Sequence, residues 1–196
     1  MRPALMLCLM LLVSACGIGA PPVAGTTPGV SPGSTASGPR ISPPPVTPPT
    51  APGTNLPAFA CANAGGGATG VADTAAARVS EQQGYDRFVL QLDAPVPTYT
   101  VTRQPTATFH SGATGQTITL AGNAGALVSV HSATGATTFS GPTDFVHPEF
   151  QVLLEARQTQ DFEGTVSWGL GLSRAACLRT FTLLSPYRLV VDFITS

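Results

Sequence analysis

Cys177-Leu178-Arg179-Thr180-Phe181-Thr182-Leu183-Leu184-Ser185-Pro186-Tyr187-Arg188-Leu189-Val190-Val191-Asp192-Phe193-Ile194 places two runs rich in branched and aromatic residues on either side of Ser-Pro-Tyr. Runs of this kind, divided by a turn signal, predict a hairpin of strands 177–184 and 188–194. In the second run Leu189, Val191 and Phe193 share a face, as the two-residue period of a strand requires. The first run is ambiguous. Cys177, Phe181 and Leu183 fall together, but Arg179 joins them. Either that strand is bulged or Arg179 has a partner.

The same period recurs upstream. Residues 76–81 form a weak first strand, with Gly84-Tyr85-Asp86 as its turn. In 87–93, Phe88, Leu90 and Leu92 alternate with Arg87, Val89, Gln91 and Asp93. Residues 99–103 are Thr-rich, 117–121 align Ile118 with Leu120, and 127–131 follow Gly125. In 150–157, Phe150, Val152, Leu154 and Ala156 oppose Gln151, Leu153, Glu155 and Arg157, and 165–172 turns Val166, Trp168 and Leu170 inward. No segment sustains an apolar repeat of helical period. Eight or nine short strands with turns between them predict an all-β domain, a single β-sandwich or barrel spanning 58–196.

The N-terminal third reads differently. Arg2 leads an apolar run over 4–15, too short for the roughly 20 residues that span a bilayer. A charged start, a short apolar core and small residues before a cleavage point form a secretory signal peptide, residues 1–15. Leu12-Val13-Ser14-Ala15-Cys16 resembles a bacterial lipobox, in which Cys16 is lipidated and becomes the new N-terminus. An ordinary cleaved signal is the other reading. Residues 17–57 contain twelve prolines, ten Ser or Thr, one charge (Arg40) and no aromatic residue. Such a stretch cannot bury enough apolar surface to offset its ordering entropy. Residues 16–57 are therefore expected to be a lipid-anchored, disordered tether, with a reach on the order of 130 Å at ~3.1 Å per extended residue. Gly29-Val30-Ser31-Pro32-Gly33 matches the G-x-S-x-G pattern of hydrolase elbows, but a Pro-rich coil provides neither the strand nor the helix that motif needs.

Composition narrows function. The chain has no lysine, so lysine chemistry is excluded, and its net charge of −1 comes without the basic clustering in sequence that marks nucleic-acid binding. With Cys8 in the signal and Cys16 lipidated, Cys61 and Cys177 are left as one pair in an exported chain, where disulfides persist. A bridge between them would close a 116-residue loop, worth about 4–5 kcal/mol in the chain-entropy model. Two unpaired buried thiols are the competing reading. No histidine lies at metal-ligand spacing from either cysteine, so neither a metal nor another cofactor is implied.

Three stretches together resemble the AMIN-like domain of bacterial lipoproteins and secreted proteins: Gly84 to Leu90, Asp161 to Leu172, and Phe181 to Phe193. The likeness covers roughly 69–195, and Pro186-Tyr187-Arg188-Leu189-Val190-Val191-Asp192-Phe193 is its most specific piece. It is also similar to the end of AMIN domains, β-sandwich modules that accompany cell-wall amidases and pilus secretins and help target them to the envelope. The resemblance implies a non-catalytic extracytoplasmic module that binds peptidoglycan or another envelope protein.

The candidate chemistry is sparse. His110, His131 and His147 suggest no site by spacing. Asp161 and Glu163 flank Phe162 as paired carboxylates can in glycoside hydrolysis, against the plainer reading of a solvated loop. Trp168 alternates with core residues, yet Gly164, Gly169 and Gly171 around it would let a sugar approach the backbone. Arg87 and Arg188 sit on polar strand faces. They either pair with Asp93 and Asp192 or hold carboxylates of a wall peptide through bidentate contacts. The candidate ligand-binding residues are thus Arg87, Trp168 and Arg188, with no catalytic residue assigned.

Overall fold

The structure, a computed structural model, describes residues 55–196. Cys16 and nearly all of the tether lie outside the described residues. The strands are β1 (Ala64–Gly66), β2 (Ala72–Gln82), β3 (Tyr85–Leu92), β4 (Tyr99–Gln104), β5 (Thr108–His110), β6 (Thr117–Thr119), β7 (Ala124–His131), β8 (Ala133–Thr134), β9 (Asp144–Val146), β10 (Leu153–Phe162), β11 (Thr165–Leu172), β12 (Leu178–Leu184) and β13 (Tyr187–Ile194). One sheet runs β1-β4-β7-β11-β10-β9 and the other β12-β13-β3-β2-β8, with β5-β6 a separate ribbon. All pairings are antiparallel except β2 with β8. The two large sheets form a β-sandwich.

Alternation explains which face goes inside. Phe88, Leu90 and Leu92 of β3 and Leu189, Val191 and Phe193 of β13 meet Val128 and Val130 of β7 and Val166, Trp168 and Leu170 of β11 in one core. A fully buried polar contact joins the layers. Asp86 turns inward from β3, and its Oδ2 accepts hydrogen bonds from the backbone N–H of Val152 (2.7 Å) and Leu153 (2.9 Å). Those amides lie at and just before the start of β10, and one carboxylate supplies the acceptor for both.

The terminal hairpin falls where its sequence places it, with Tyr187 inside β13 and continuous pairing from Leu178↔Phe193 to Leu184↔Tyr187. Arg179 is therefore not at a bulge; it has a partner. Elsewhere the strands shift. Tyr85 and Asp86 begin β3, and the turn is Gln83-Gly84, with Gly84 at φ +87°. The strand expected over 150–157 begins at Leu153 and runs on to Phe162. A register shift between Leu153 and Glu155 breaks the alternation there, so Val152 and Leu153 are both buried while Leu154 is half-exposed. Thirteen strands appear among the described residues rather than eight or nine, because β1, β5, β8 and β9 are only two or three residues long, too short for alternation to reveal them.

The ribbon β5-β6 packs on the outer face of the six-stranded sheet through Phe109, Ala107 and Leu120. Glycines in the sheet make room for it. A Cβ on Gly169 would lie 2.9 Å from the Phe109 ring, and one on Gly125 would lie 2.8 Å from it. A Cβ on Gly171 would collide with the Ala121 carbonyl. Glu155, nearly buried, fastens the end of the ribbon by accepting from the Ala121 N–H at 2.7 Å.

Candidate functional site

The outer face of the five-stranded sheet collects charge and aromatic surface in ordered rows. Register alone sets them. Arg179, Asp192, Arg87 and Ser80 lie side by side across β12, β13, β3 and β2. The next row is Phe181, Val190, Val89 and Arg78, and the one beyond is Leu183, Arg188, Gln91 and Ala76. These side chains point away from the core because their neighbours, Phe88, Leu90, Leu189 and Val191, point into it.

In the first row two arginines clamp one carboxylate. Arg87 Nε donates to Asp192 Oδ1 at 2.6 Å and its Nη2 donates to Oδ2 at 2.9 Å, a bidentate pair. Arg179 Nε donates to Oδ2 at 2.8 Å. The Asp192 side chain is fully buried, while the arginines keep 22 % and 12 % of theirs exposed. The bond to Asp192 raises the pKa of Arg87 above its ordinary value despite partial burial. Aromatic rings cover the guanidinium planes. Arg179 lies 4.4 Å from the Phe59 ring centre and 4.8 Å from that of Tyr85. Arg87 lies 5.1 Å from Tyr85 and 5.5 Å from Phe181. Each contact of this kind is worth about 0.5–2 kcal/mol, more as water is excluded. The cluster carries one net positive charge. Nη1 of Arg87 and both terminal nitrogens of Arg179 have no acceptor among the described residues.

The charge balance of the whole face is stronger. Arg78, Arg87, Arg179 and Arg188 occupy its outward positions, and Asp192 is the only carboxylate in the three rows. Asp93, just beyond the end of β3, ties its side chain to the Asp73 N–H at 2.8 Å. A chain of net charge −1 therefore shows a locally cationic sheet face.

The structure sorts the sequence candidates. Arg87 joins this cluster, but its partner is Asp192 and not Asp93. Arg188 lies on the same face and reaches the Pro186 carbonyl at 3.2 Å instead of pairing with Asp192. Trp168 does not belong to any surface site. It is wholly buried against Phe88, Phe139 and Phe145, with ring centres 5.4–6.1 Å away. The glycines that suggested a ligand near it serve other ends: Gly169 and Gly171 lie under the chain's own ribbon, and Gly164 takes φ +70° in the β10–β11 turn. Cys61 and Cys177 are disulfide-bonded. The bridge and the paired backbone of Ala60 and Leu178 hold the segment carrying Phe59 beside β12. Arg179, Tyr85 and Phe59 went unassigned in sequence. The clue was Arg179 itself, the charge that spoiled an otherwise apolar face.

The other titratable groups do not converge. His110 and His131 are exposed on separate strands, and His147 pairs with Glu149 at 2.8 Å. Asp161 accepts from Thr134 and the Gly135 N–H, whereas Glu163 sits in the turn at φ +49°. Among the described residues no three His, Cys, Asp or Glu side chains are grouped to hold a metal.

The AMIN-like domain family model matches residues 72–195, which holds the sandwich from β2 to the end of β13. The chain belongs to the AMIN-like domain family. No curated protein and no solved structure matches it. AMIN-like domains are non-catalytic binding modules of extracytoplasmic proteins, and the arginine–aromatic face lies inside the matched region except for Phe59.

Proposed function

We propose that this AMIN-like protein is a non-catalytic, lipid-anchored component of the bacterial cell envelope whose sandwich binds cell-wall polymer, specifically peptidoglycan. Cys16 attaches the chain to a membrane, the 16–57 tether provides reach, and the domain grips the wall above. The observation that carries the reading is the cationic, aromatic-lined sheet face within a domain whose family is associated with peptidoglycan binding. Wall peptides carry carboxylates, and guanidinium groups bind carboxylates in a planar, two-pronged fashion. Co-sedimentation of the full chain, purified in detergent, with isolated peptidoglycan sacculi tests it. The protein should pellet with sacculi at low salt; a chain that stays in the supernatant rules the reading out. Loss of radiolabelled fatty acid in a Cys16→Ser variant tests the anchor.

A second reading, an assembly lipoprotein that holds another envelope protein, draws on a different feature. Pro95, Val96, Leu183, Leu184 and Tyr187 border a largely apolar groove of about 260 Å³, with Leu184 72 % exposed. In-cell crosslinking from position 184 that yields one discrete protein adduct favours this reading over the first.

A further inference from the structure

We propose that the outer face of the five-stranded sheet recognises the peptide part of the wall polymer, a short acidic peptide bearing small alkyl side chains, and not its sugars. This rests on the peptidoglycan reading and specifies which part of that polymer is held.

Charge is the first support. The three rows offer four guanidinium groups against one carboxylate, and that carboxylate is already enclosed by two of them. Spacing is the second. Successive rows on one strand face are two residues apart, roughly 7 Å. Arg78 lies one row from the Arg87–Arg179 row, and Arg188 one row further. Arg87, Arg78 and Arg188 stand on three neighbouring strands, β3, β2 and β13, so the guanidinium groups form a patch wide enough for more than one carboxylate of a short peptide. The floor between them is the third. Val89 and Phe181 are half-buried and leave apolar surface for methyl groups between the charges, while Val190 is covered.

The aromatic rings speak against sugar. Sugar stacking needs an uncovered ring face. Tyr85 is flanked by both guanidinium groups and Phe59 lies against Arg179, which leaves Phe181 as a single half-buried ring rather than a stacking platform. The one tryptophan is in the core. A phosphodiester polymer would satisfy the arginines but leave the apolar floor without a counterpart.

The test is titration of the full chain with a soluble muropeptide bearing its acidic stem, followed by calorimetry. Amidating the stem carboxyl groups should weaken binding about tenfold or more, the equivalent of one lost charged contact. The Arg78→Gln/Arg188→Gln variant, which leaves the Asp192 clamp intact, should lose a similar factor with an unchanged melting temperature. Arg157→Gln, on the opposite sheet, should bind normally. Equal affinity for the amidated stem overturns the proposal, as does equal competition by stem-free glycan chains or by poly(glycerol phosphate). Sacculi that pellet the protein while amidated stems bind undiminished would remove this inference and leave the parent reading standing. Failure to pellet with sacculi at all would remove the parent reading.

Discussion

Asp192 shows how much one residue can organise. Its carboxylate accepts three hydrogen bonds from two arginines that are 92 positions apart in sequence and adjacent in the sheet. Asp192→Asn should destabilise the domain by about 2–3 kcal/mol in chemical denaturation, below the range for a fully buried pair because both guanidiniums keep some solvent. The pH sense follows from Arg87, whose pKa is raised on folding. Its contribution is complete below the unfolded value and is lost only as pH rises through the folded one, well into the alkaline range. Trp168 makes a contrasting case. Its Nε1–H is buried without an acceptor, so Trp168→Phe removes an unmet donor as well as volume. The cost should stay below about 2 kcal/mol, against roughly 3–5 for Trp168→Ala. The inward position of Trp168 was legible from its alternation with Val166 and Leu170. The Arg87–Asp192 pair was not, because cross-strand register is a property of two strands and neither carries it alone.

Among the elements, the terminal hairpin and β11 were legible to within a residue or two, since strict alternation bounded by turn residues leaves little freedom. β10 was not. Its bulge near Leu154 sends Leu153 into the core in place of Leu154, while Ala156 beyond it keeps the inward position that period two gives it. The β5-β6 ribbon was half visible, as Ile118 and Leu120, but its seat was hidden in glycines that resembled a ligand platform. Gly169→Ala puts a methyl group against the Phe109 ring, and overpacking of this kind costs about 1–3 kcal/mol. Hydrogen exchange should quicken across 107–120 in that variant, while the amides of β3 and β13 remain protected. Uniform loss of protection would show that the ribbon is an inseparable part of the sandwich.

For the molecule as a whole, the Cys61–Cys177 bridge closes a 116-residue loop around most of the domain. Reduction should lower stability by about 4 kcal/mol, read as a shifted denaturation midpoint with and without reductant. The bridge also ties the first residues of the domain to β12, beside the face that carries Arg179 and Phe59. A protein held to a membrane at Cys16 would thus be joined to its domain next to the surface proposed to grip the wall. The most direct measurement is a binding isotherm of the full chain on purified sacculi, run beside the Arg78→Gln/Arg188→Gln variant at matched melting temperature. Saturable binding by the native chain and about tenfold weaker binding by the variant is the predicted result. Native binding that the variant reproduces unchanged, or no native binding, would contradict the assignment of this sheet face to the wall.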